Sequence, residues 1–240
     1  MTFSKSTLAI ALTASLLWVG CQKDNSVPTV PIFDNTAYDY APLTEGNTFT
    51  YSFSTKDPAT GVWKTTEMRT QVTSQEDFQK QKWTVISHSM DQNQRGLLPN
   101  ELSHCDGYVM RKLLKTYNEQ GVAIKNYEIP MLQYPLERGK TWKSKDFVTQ
   151  INNRKALVFT MFAVRNTGLM RKVNGMLFKD VIHVDEEAAV EINGYAETIP
   201  VSRYYDKKAG LIEAVTYGEH PVTHEQDTVS IQRLVSFNIR

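Results

Sequence analysis

Charge of one sign, long apolar runs and helical periodicity are all scarce in this chain. Its 27 Lys and Arg residues nearly balance 26 Asp and Glu residues, and no basic run stands out. This balance argues against a nucleic-acid partner, which requires a concentrated basic face. Beyond residues 7–20, no apolar run approaches the length of a membrane helix. No amphipathic pattern predicts a helix of ten or more residues.

Cysteines and catalytic motifs are equally sparse. The 240 residues contain two cysteines, Cys21 and Cys105. The sequence has no GxSxG, HExxH, P-loop, GxGxxG or paired CxxC motif. We therefore assign no catalytic residue, no metal ligand and no cofactor from the sequence.

The N-terminal stretch carries the clearest signal. Lys5 precedes an apolar or small run over residues 7–20, which has the size of a signal-peptide core, and polar residues follow Cys21 at once. Residues 17–21 (LWVGC) resemble the lipobox of a bacterial lipoprotein. That resemblance implies cleavage after residue 20 and lipidation of Cys21, which would leave Cys105 unpaired. The alternative is an ordinary secretory signal, in which case a bridge between the two cysteines stays open.

The mature chain divides into a tether and a folded part. Removing the signal peptide, residues 1–20, leaves 220 residues, enough for one large all-β domain or two small ones. Residues 21–37 hold the lipidated cysteine and a Pro-containing tether with a reach on the order of 45 Å at roughly 3.1 Å per residue. Residues 38–240 form the predicted antiparallel β domain.

The dominant period from residue 38 onward is two. In residues 48–54 (TFTYSFS), Phe49, Tyr51 and Phe53 alternate with hydroxyl residues, which predicts a half-buried strand. Similar stretches are separated by Asp-Gly and Asn-Gly pairs, which are typical of type I′ hairpin turns. Polar residues 75–81 are predicted to form a single helical turn. The expected class is all-β and antiparallel, as a strongly curved sheet, a barrel-like sandwich or a half-barrel.

One motif occurs twice, at an offset of 93 residues. Residues 42–49 (PLTEGNTF) and 135–142 (PLERGKTW) share the pattern PLxxGxT followed by an aromatic residue. Proline restricts the approach, glycine permits positive φ at the turn, and the aromatic side chain begins a new strand. The pattern is consistent with an internal duplication, giving two related units, 38–130 and 131–240. It is equally consistent with one type of loop-to-strand turn that occurs twice.

Three groups of residues could in principle form a catalytic or metal site, but their sequence context favours an ordinary structural role. His104 and Cys105 are neighbours on a predicted strand, so their side chains point to opposite faces and cannot form a thiol dyad. His183, Asp185 and Glu187 share one strand face, where metal ligation competes with a simple solvent-facing role. His220 and His224 flank Pro221, which argues against the helix that would align them.

Aromatic and acidic residues leave two further possibilities open. Trp63, Trp83 and Trp142 could form a ligand-binding platform that stacks on sugar, although such side chains more often pack in a core. Acidic residues are numerous enough for a glycosidase pair, but the sequence does not single out two of them.

Several motifs together resemble a family. Four segments are similar to uncharacterised β-rich envelope lipoproteins of the Bacteroides type. They are the PLxxGNT-aromatic motif at residues 42–51, its second copy before Trp142, the stretch FKDVI at 178–182 and the hairpin at 203–212. Residues 22–24 (QKD) are similar to the polar tags of surface-exported lipoproteins in those bacteria. The resemblance implies an envelope lipoprotein and supplies no catalytic residues.

The functional expectation follows from the predicted cellular location and the predicted all-β fold class. We expect a non-catalytic, lipid-anchored envelope protein, held by palmitate-type acyl chains in the outer membrane, on its periplasmic face or the cell surface. Its β domain would bind a small ligand or an envelope protein. The alternatives are an acyl-chain carrier or sensor with a barrel cavity, and a glycan-acting hydrolase. A solid core would contradict the carrier. The absence of two carboxylates, or of a His and a nucleophile, converging in one pocket would contradict the hydrolase.

Overall fold

A computed structural model of the chain describes residues 36–90, 100–117, 123–151, 154–219 and 225–240. The predicted signal peptide, Cys21 and nearly all of the tether lie outside the described residues. The described strands are β1 (Thr48–Lys56), β2 (Trp63–Phe78), β3 (Gln81–Met90), β4 (Glu101–Cys105), β5 (Val109–Tyr117), β6 (Ala123–Gln133), β7 (Thr141–Lys143), β8 (Phe147–Ile151), β9 (Arg154–Val173), β10 (Met176–Ile192), β11 (Tyr195–Asp206), β12 (Gly210–Glu219) and β13 (Gln226–Asn238). No helix long and apolar enough to cross a membrane occurs among these residues.

All of these strands belong to one antiparallel sheet. Its order is β6-β5-β4-β3-β2-β1-β13-β12-β11-β10-β9-β7, and β8 pairs separately with β9. Neighbours in sequence are therefore mostly neighbours in the sheet, as expected for a meander. The long-range pairing of β1 with β13 joins the two ends of the meander. The predicted all-β, antiparallel, strongly curved architecture is confirmed.

The sheet curves into a nearly closed, barrel-shaped wall, and side chains bridge the gap between its two edges. The Trp142 indole N–H of β7 donates a 2.7 Å hydrogen bond to the Pro130 carbonyl oxygen of β6. The Tyr127 ring of β6 stacks on Phe147 of β8 with centroids 3.9 Å apart. These contacts hold the edges together without a continuous backbone ladder.

Both copies of the PLxxGxT motif make the same turn at their glycine, although the peptide bond before Pro135 is cis and the one before Pro42 is trans. Gly46 and Gly139 have φ values of 90° and 88°, which the missing Cβ allows. Their N–H groups donate to the carbonyl oxygens of Val72 and Val164, at 2.9 and 2.8 Å. The residue after each glycine accepts a 2.9 Å hydrogen bond from the N–H of the same valine. The motif is thus a loop-to-strand turn that precedes both β1 and β7. Duplication of a whole unit remains a hypothesis.

Strand alternation places the core inside the curved sheet. Phe49 and Tyr51 of β1 are each 6 % exposed, which confirms the inward face predicted for this strand. A short 3₁₀ helix, Ala37–Tyr40, packs into the same interior, and Tyr40 is 2 % exposed. The Ala37 N–H donates to the Gly107 carbonyl oxygen at 3.1 Å, beside the turn between β4 and β5. This helix therefore covers one end of the sheet, here called the closed end.

The predicted helical turn at residues 75–81 is wrong. Strand β2 continues to Phe78, and β3 begins at Gln81. Gln79 and Lys80 between them have positive φ values of 51° and 65°. Two consecutive left-handed residues make a tight hairpin, so the polar composition of this stretch reflects a solvent-facing turn instead of a helix.

The other hairpin turns follow the sequence more closely. Asn174 and Asn193 have positive φ, as do the glycines that follow them, which confirms both predicted Asn-Gly turns. Asp106 also lies in a hairpin turn, but it is not among the residues with positive φ, so the predicted type I′ geometry is wrong there. Its Oδ1 instead accepts the N–H groups of Tyr108 and Val109 at 2.9 and 2.8 Å, an Asx-type turn.

Candidate functional site

The candidate site is a cavity of about 320 Å³ inside the curved sheet, partly open to solvent. The 3₁₀ helix and the chain that leads from it into β1 form its wall at the closed end. The residues that line it are Tyr40, Ala41, Pro42, Leu43, Phe49, Tyr51, Thr70, Val72, Ile86, His88, Glu101, Ser103, Met110, Lys112, Ile129, Met131, Glu186, Arg203, Tyr205, Ala209, Leu211 and Gln232. The interior is therefore not solid. A solid core would have contradicted the carrier hypothesis, and the cavity leaves that hypothesis open.

Apolar side chains make up the part of the cavity nearest the closed end, here called the apolar floor. Its members are Leu43, Phe49, Val72, Ile86, Met110 and Met131. They sit at inward positions of β1, β2, β3, β5 and β6 and on the segment before β1. Val72 is 1 % exposed, and Phe49, Ile86 and Met131 are each less than a tenth exposed. This floor offers a dry surface to an apolar ligand group.

One inward position further from the closed end, the wall becomes charged. We call these five residues the polar belt: His88, Glu101, Lys112, Glu186 and Arg203. Lys112 follows Met110 by two residues on β5, which begins at the closed end. Arg203 precedes Tyr205 by two residues on β11, which ends there. Because alternate residues of a strand share a face, these steps place Lys112 and Arg203 one inward position further from the closed end than Met110 and Tyr205.

The first charged group of the belt is built around Glu101. Lys112 Nζ donates to Glu101 Oε2, and the Ser103 hydroxyl donates to Oε1 at 3.2 Å. His88 Nε2 lies 3.8 Å from Oε2, and the Thr70 hydroxyl lies 3.1 Å from His88 Nδ1. Burial alone would raise the pKa of Glu101, but His88 and the Lys112 ammonium outweigh it and lower the pKa to about 2.

The second charged group is the pair Arg203 and Glu186. Arg203 Nε donates to Glu186 Oε2. Burial lowers the pKa of Arg203, but the Glu186 carboxylate outweighs it and raises that pKa, so the guanidinium stays charged. Protein surrounds Arg203, yet 22 % of its side chain is accessible because it faces the cavity. Tyr205 lies next to it on the floor side, and burial raises the pKa of its hydroxyl.

This arrangement favours binding over acid–base catalysis. Glu101 and Glu186 line one cavity, as the hydrolase hypothesis requires. A glycosidase acid, however, needs a carboxyl group that keeps its proton near neutral pH. Glu101 is held ionised, and Glu186 is bonded to a guanidinium. Glu101 is therefore not set up as a proton donor, and Glu186 is engaged by Arg203.

The three tryptophans of the sequence prediction lie in different places. Trp83 is fully buried in a separate cluster with Val85, and Trp142 is 8 % exposed and stacked on Phe162 at 5.3 Å. Trp63 begins β2 and is 40 % exposed. None of them is among the described residues that line the cavity, and the structure does not bring them together. Their role in ligand binding stays a prediction.

His183 and Asp185 belong to the opposite face of β10 from Glu186. His183 Nε2 lies 2.9 Å from Asp185 Oδ1, and Arg165 Nε donates to Asp185 Oδ2 at 2.6 Å. Burial raises the pKa of Asp185, but the hydrogen bond from Arg165 outweighs it and lowers the pKa. Within the described part of the chain, no three His, Cys, Asp or Glu side chains, Glu187 included, converge as metal ligands.

The remaining candidates do not form a site either. His104 Nδ1 lies 2.8 Å from the Lys82 carbonyl oxygen. Cys105 is a free thiol in the described chain, and burial raises its pKa, which lowers its nucleophilicity at neutral pH. His220 and His224 lie outside the described residues.

Sequence reasoning missed the polar belt entirely. A usable signal was present, because each belt residue interrupts the inward face of a strand. On β10, for example, Ile182, Val184 and Ala188 suggest an apolar face, and Glu186 falls on the same face. A charged residue in phase with core positions marks either a buried ion pair or a cavity, and only the fold separates the two.

Two solved structures are similar to this chain. One, from Bacteroides fragilis, is designated an exported protein with a YmcC-like fold; the similarity covers 83 % of this chain and 98 % of that chain, at 12 % identity and a TM-score of 0.50. The other, from Parabacteroides distasonis, is designated a lipoprotein. That similarity covers 86 % of this chain and 100 % of that chain, at 14 % identity and a TM-score of 0.46. No protein-family model and no curated protein matches the chain.

The first of these similarities establishes a shared fold and nothing more, because the identity is so low. At that level it supports the curved all-β architecture that the sequence pattern predicted.

Proposed function

We propose that this protein is a non-catalytic, lipid-anchored component of the bacterial cell envelope whose curved sheet binds a small amphipathic molecule in its cavity. The location in the cell envelope is supported by the lipobox-like residues that end at Cys21 and by the fold shared with an exported protein of Bacteroides fragilis. The acyl chains on Cys21 would hold it at the outer membrane, and the tether would separate the folded part from the lipid.

The cavity is the observation that carries the binding activity. Its apolar floor suits a hydrocarbon group, and its polar belt suits a head group at the level nearer to solvent. A volume of about 320 Å³ lies at the lower end of ligand pockets, which span roughly 300–1,000 Å³. This favours a medium-chain ligand over a full-length membrane acyl chain.

Photolabelling tests the binding activity. The full chain, purified with its native lipid in detergent, is irradiated with a photoreactive diazirine analogue of decyl alcohol, and labelled positions are mapped by tandem mass spectrometry. We expect labels on residues of the apolar floor, Met131 among them. Met110→Trp, which fills the cavity, removes these labels. Met170→Trp, whose parent residue is 74 % exposed, is the matched control and keeps them. Labels confined to outer surfaces, or unchanged in Met110→Trp, overturn the proposal.

Mass spectrometry of the natively produced protein tests the anchor independently. We expect a mature N-terminus at Cys21 with a diacylglyceryl group on its sulfur. An unmodified thiol at that position, or an N-terminus elsewhere, overturns the lipid anchor and leaves the cavity test unaffected.

A further inference from the structure

The polar belt has more hydrogen-bond donors than acceptors. The guanidinium of Arg203 carries five N–H groups, and among the described residues only Nε has a bonded partner, Glu186. Lys112 carries three N–H groups, and one donates to Glu101. Both side chains are partly accessible, Arg203 at 22 % and Lys112 at 39 %, and both line the cavity. Their remaining donors therefore have access to whatever occupies it.

The acceptors of the belt are largely occupied. Glu101 accepts from Lys112 at one oxygen and from Ser103 at the other. Glu186 accepts from Arg203 at Oε2, which leaves Oε1 as its oxygen without a bonded partner in the described chain. A cationic or donor-rich head group would find few acceptors here, whereas an oxyanion would meet the unused N–H groups. A ligand group that displaces water from these donors without accepting from them would be unfavourable, so the belt selects for acceptors.

We propose that the cavity binds a medium-chain amphiphile with a terminal oxyanion, a carboxylate or a phosphate, whose head group contacts Arg203 while its alkyl part lies on the apolar floor. This inference rests on the proposed function and names its ligand class. The planar guanidinium matches both oxyanions in two parallel hydrogen bonds, and Lys112 is a second cation that lines the same cavity. The level of the belt, further from the closed end than the floor, sets the orientation of the ligand with its head toward solvent.

Competition against the photoreactive decyl alcohol tests this head-group preference. The competitors are decanoate, decyl phosphate, decanol and decylamine, which share an alkyl chain and differ in the head group. We expect decanoate or decyl phosphate to halve labelling of the floor at about one tenth of the decanol concentration, as charge-assisted hydrogen bonds require. The ranking of the two oxyanions distinguishes a carboxylate ligand from a phosphate ligand. Decylamine is expected to compete less well than decanol.

Paired variants assign the preference to Arg203. The double variant Arg203→Gln with Glu186→Gln removes both charges and keeps side chains of similar size. It is expected to lose the roughly tenfold oxyanion preference, read as the ratio of the decanol and decanoate concentrations that halve floor labelling. The matched control, Arg165→Gln with Asp185→Asn, neutralises an ion pair on the opposite face of the sheet and is expected to keep the preference. If circular dichroism shows the first variant to be unfolded, Arg203→Lys decides: a reduced preference supports the proposal, and an unchanged one overturns it.

The outcomes separate this inference from the function on which it rests. Floor labelling that decanol or decylamine suppresses as well as the oxyanions do overturns the head-group assignment and leaves the binding function standing. An oxyanion preference that survives neutralisation of Arg203 and Glu186 also overturns it. Absence of floor labelling in the wild-type protein overturns the binding function itself.

Discussion

Two groups of charged residues on the same part of the sheet differ in what surrounds them. On the outer face, Glu213 accepts hydrogen bonds from Arg171 at 2.6 Å and from Arg233 at 2.7 Å, and its side chain is 4 % exposed. On the inner face, Glu186 accepts from Arg203, and the pair borders the cavity. The outer carboxylate is enclosed between two guanidinium groups, whereas the inner guanidinium is accessible from the cavity.

The strands that each group connects explain this difference. The outer group ties β9, β12 and β13 together, and the Arg171 guanidinium also lies 3.3 Å above the Tyr204 ring of β11. The inner pair links β10 and β11, which already share a continuous backbone ladder. The outer group therefore stabilises the fold, and the inner pair contributes little that the ladder does not already supply. This contrast assigns a structural role to the outer group and agrees with the binding role proposed above for the inner pair.

Removing the outer carboxylate is expected to have the largest effect. Glu213→Ala leaves two arginines without their shared partner, and breaking such a buried arrangement costs about 3 kcal/mol in the free energy of unfolding. Urea unfolding followed by circular dichroism measures it, with the exposed Glu197→Ala as control, expected within about 0.5 kcal/mol. Photolabelling of the apolar floor should persist. A loss below about 1 kcal/mol contradicts the structural role.

Acid should weaken the inner face through Glu101. Its pKa falls from an ordinary 4.5 to about 2 in the folded protein, so its contribution is fully present above about pH 5 and disappears as the pH falls toward 2. Between pH 5 and pH 3 this amounts to about 2 kcal/mol of folding free energy at 1.36 kcal/mol per pKa unit. Urea unfolding at both pH values should show a smaller decrease for Glu101→Gln than for the wild type. Equal decreases contradict the assignment of the low pKa to this group.

Neutralising the inner pair should change stability less. Replacing a buried ion pair by uncharged groups of similar volume is often neutral, so Arg203→Gln with Glu186→Gln is expected to shift the free energy of unfolding by about 1 kcal/mol or less. Urea unfolding at neutral pH measures the shift. A loss as large as that of Glu213→Ala erases the contrast between the two faces and shows that the inner pair also holds the fold.

The exposed outer pair should matter least. Arg165 and Asp185 have side chains that are 59 % and 34 % exposed, and solvent screens such a pair strongly. Arg165→Gln with Asp185→Asn is expected to change the free energy of unfolding by about 0.5 kcal/mol or less. The same unfolding measurement checks it. A larger change indicates that His183 and Ser202, which also contact Asp185, depend on its charge.

Much of the fold follows from local patterns. The alternation around Phe49 and Tyr51 predicted an inward face correctly, and the Asn-Gly pairs at residues 174 and 193 predicted hairpins, because period and turn chemistry are properties of a few neighbouring residues. The helical turn predicted at residues 75–81 was wrong for the same reason, since polar composition suits both a turn and a helix end.

The candidate site was beyond such reasoning. Arg203 and Lys112 are 91 residues apart in sequence, and their common cavity depends on the sheet curving until β5 and β11 face one interior. Trp83 and Trp142 attracted attention because aromatic side chains can stack on sugars. Their burial in separate clusters depends on which strands cover them, and a single strand pattern does not contain that information.

By itself, the sequence determined an antiparallel β class, the inward phase of its strands and a lipobox-like stretch that ends at Cys21. Those properties depend on the order of side chains along short segments, where backbone geometry has few choices. Only the tertiary structure decided that β1 pairs with β13 and that the interior contains a cavity bordered by charges. Both depend on long-range closure of the sheet, in which the radius of curvature sets whether inward side chains meet one another or leave space between them.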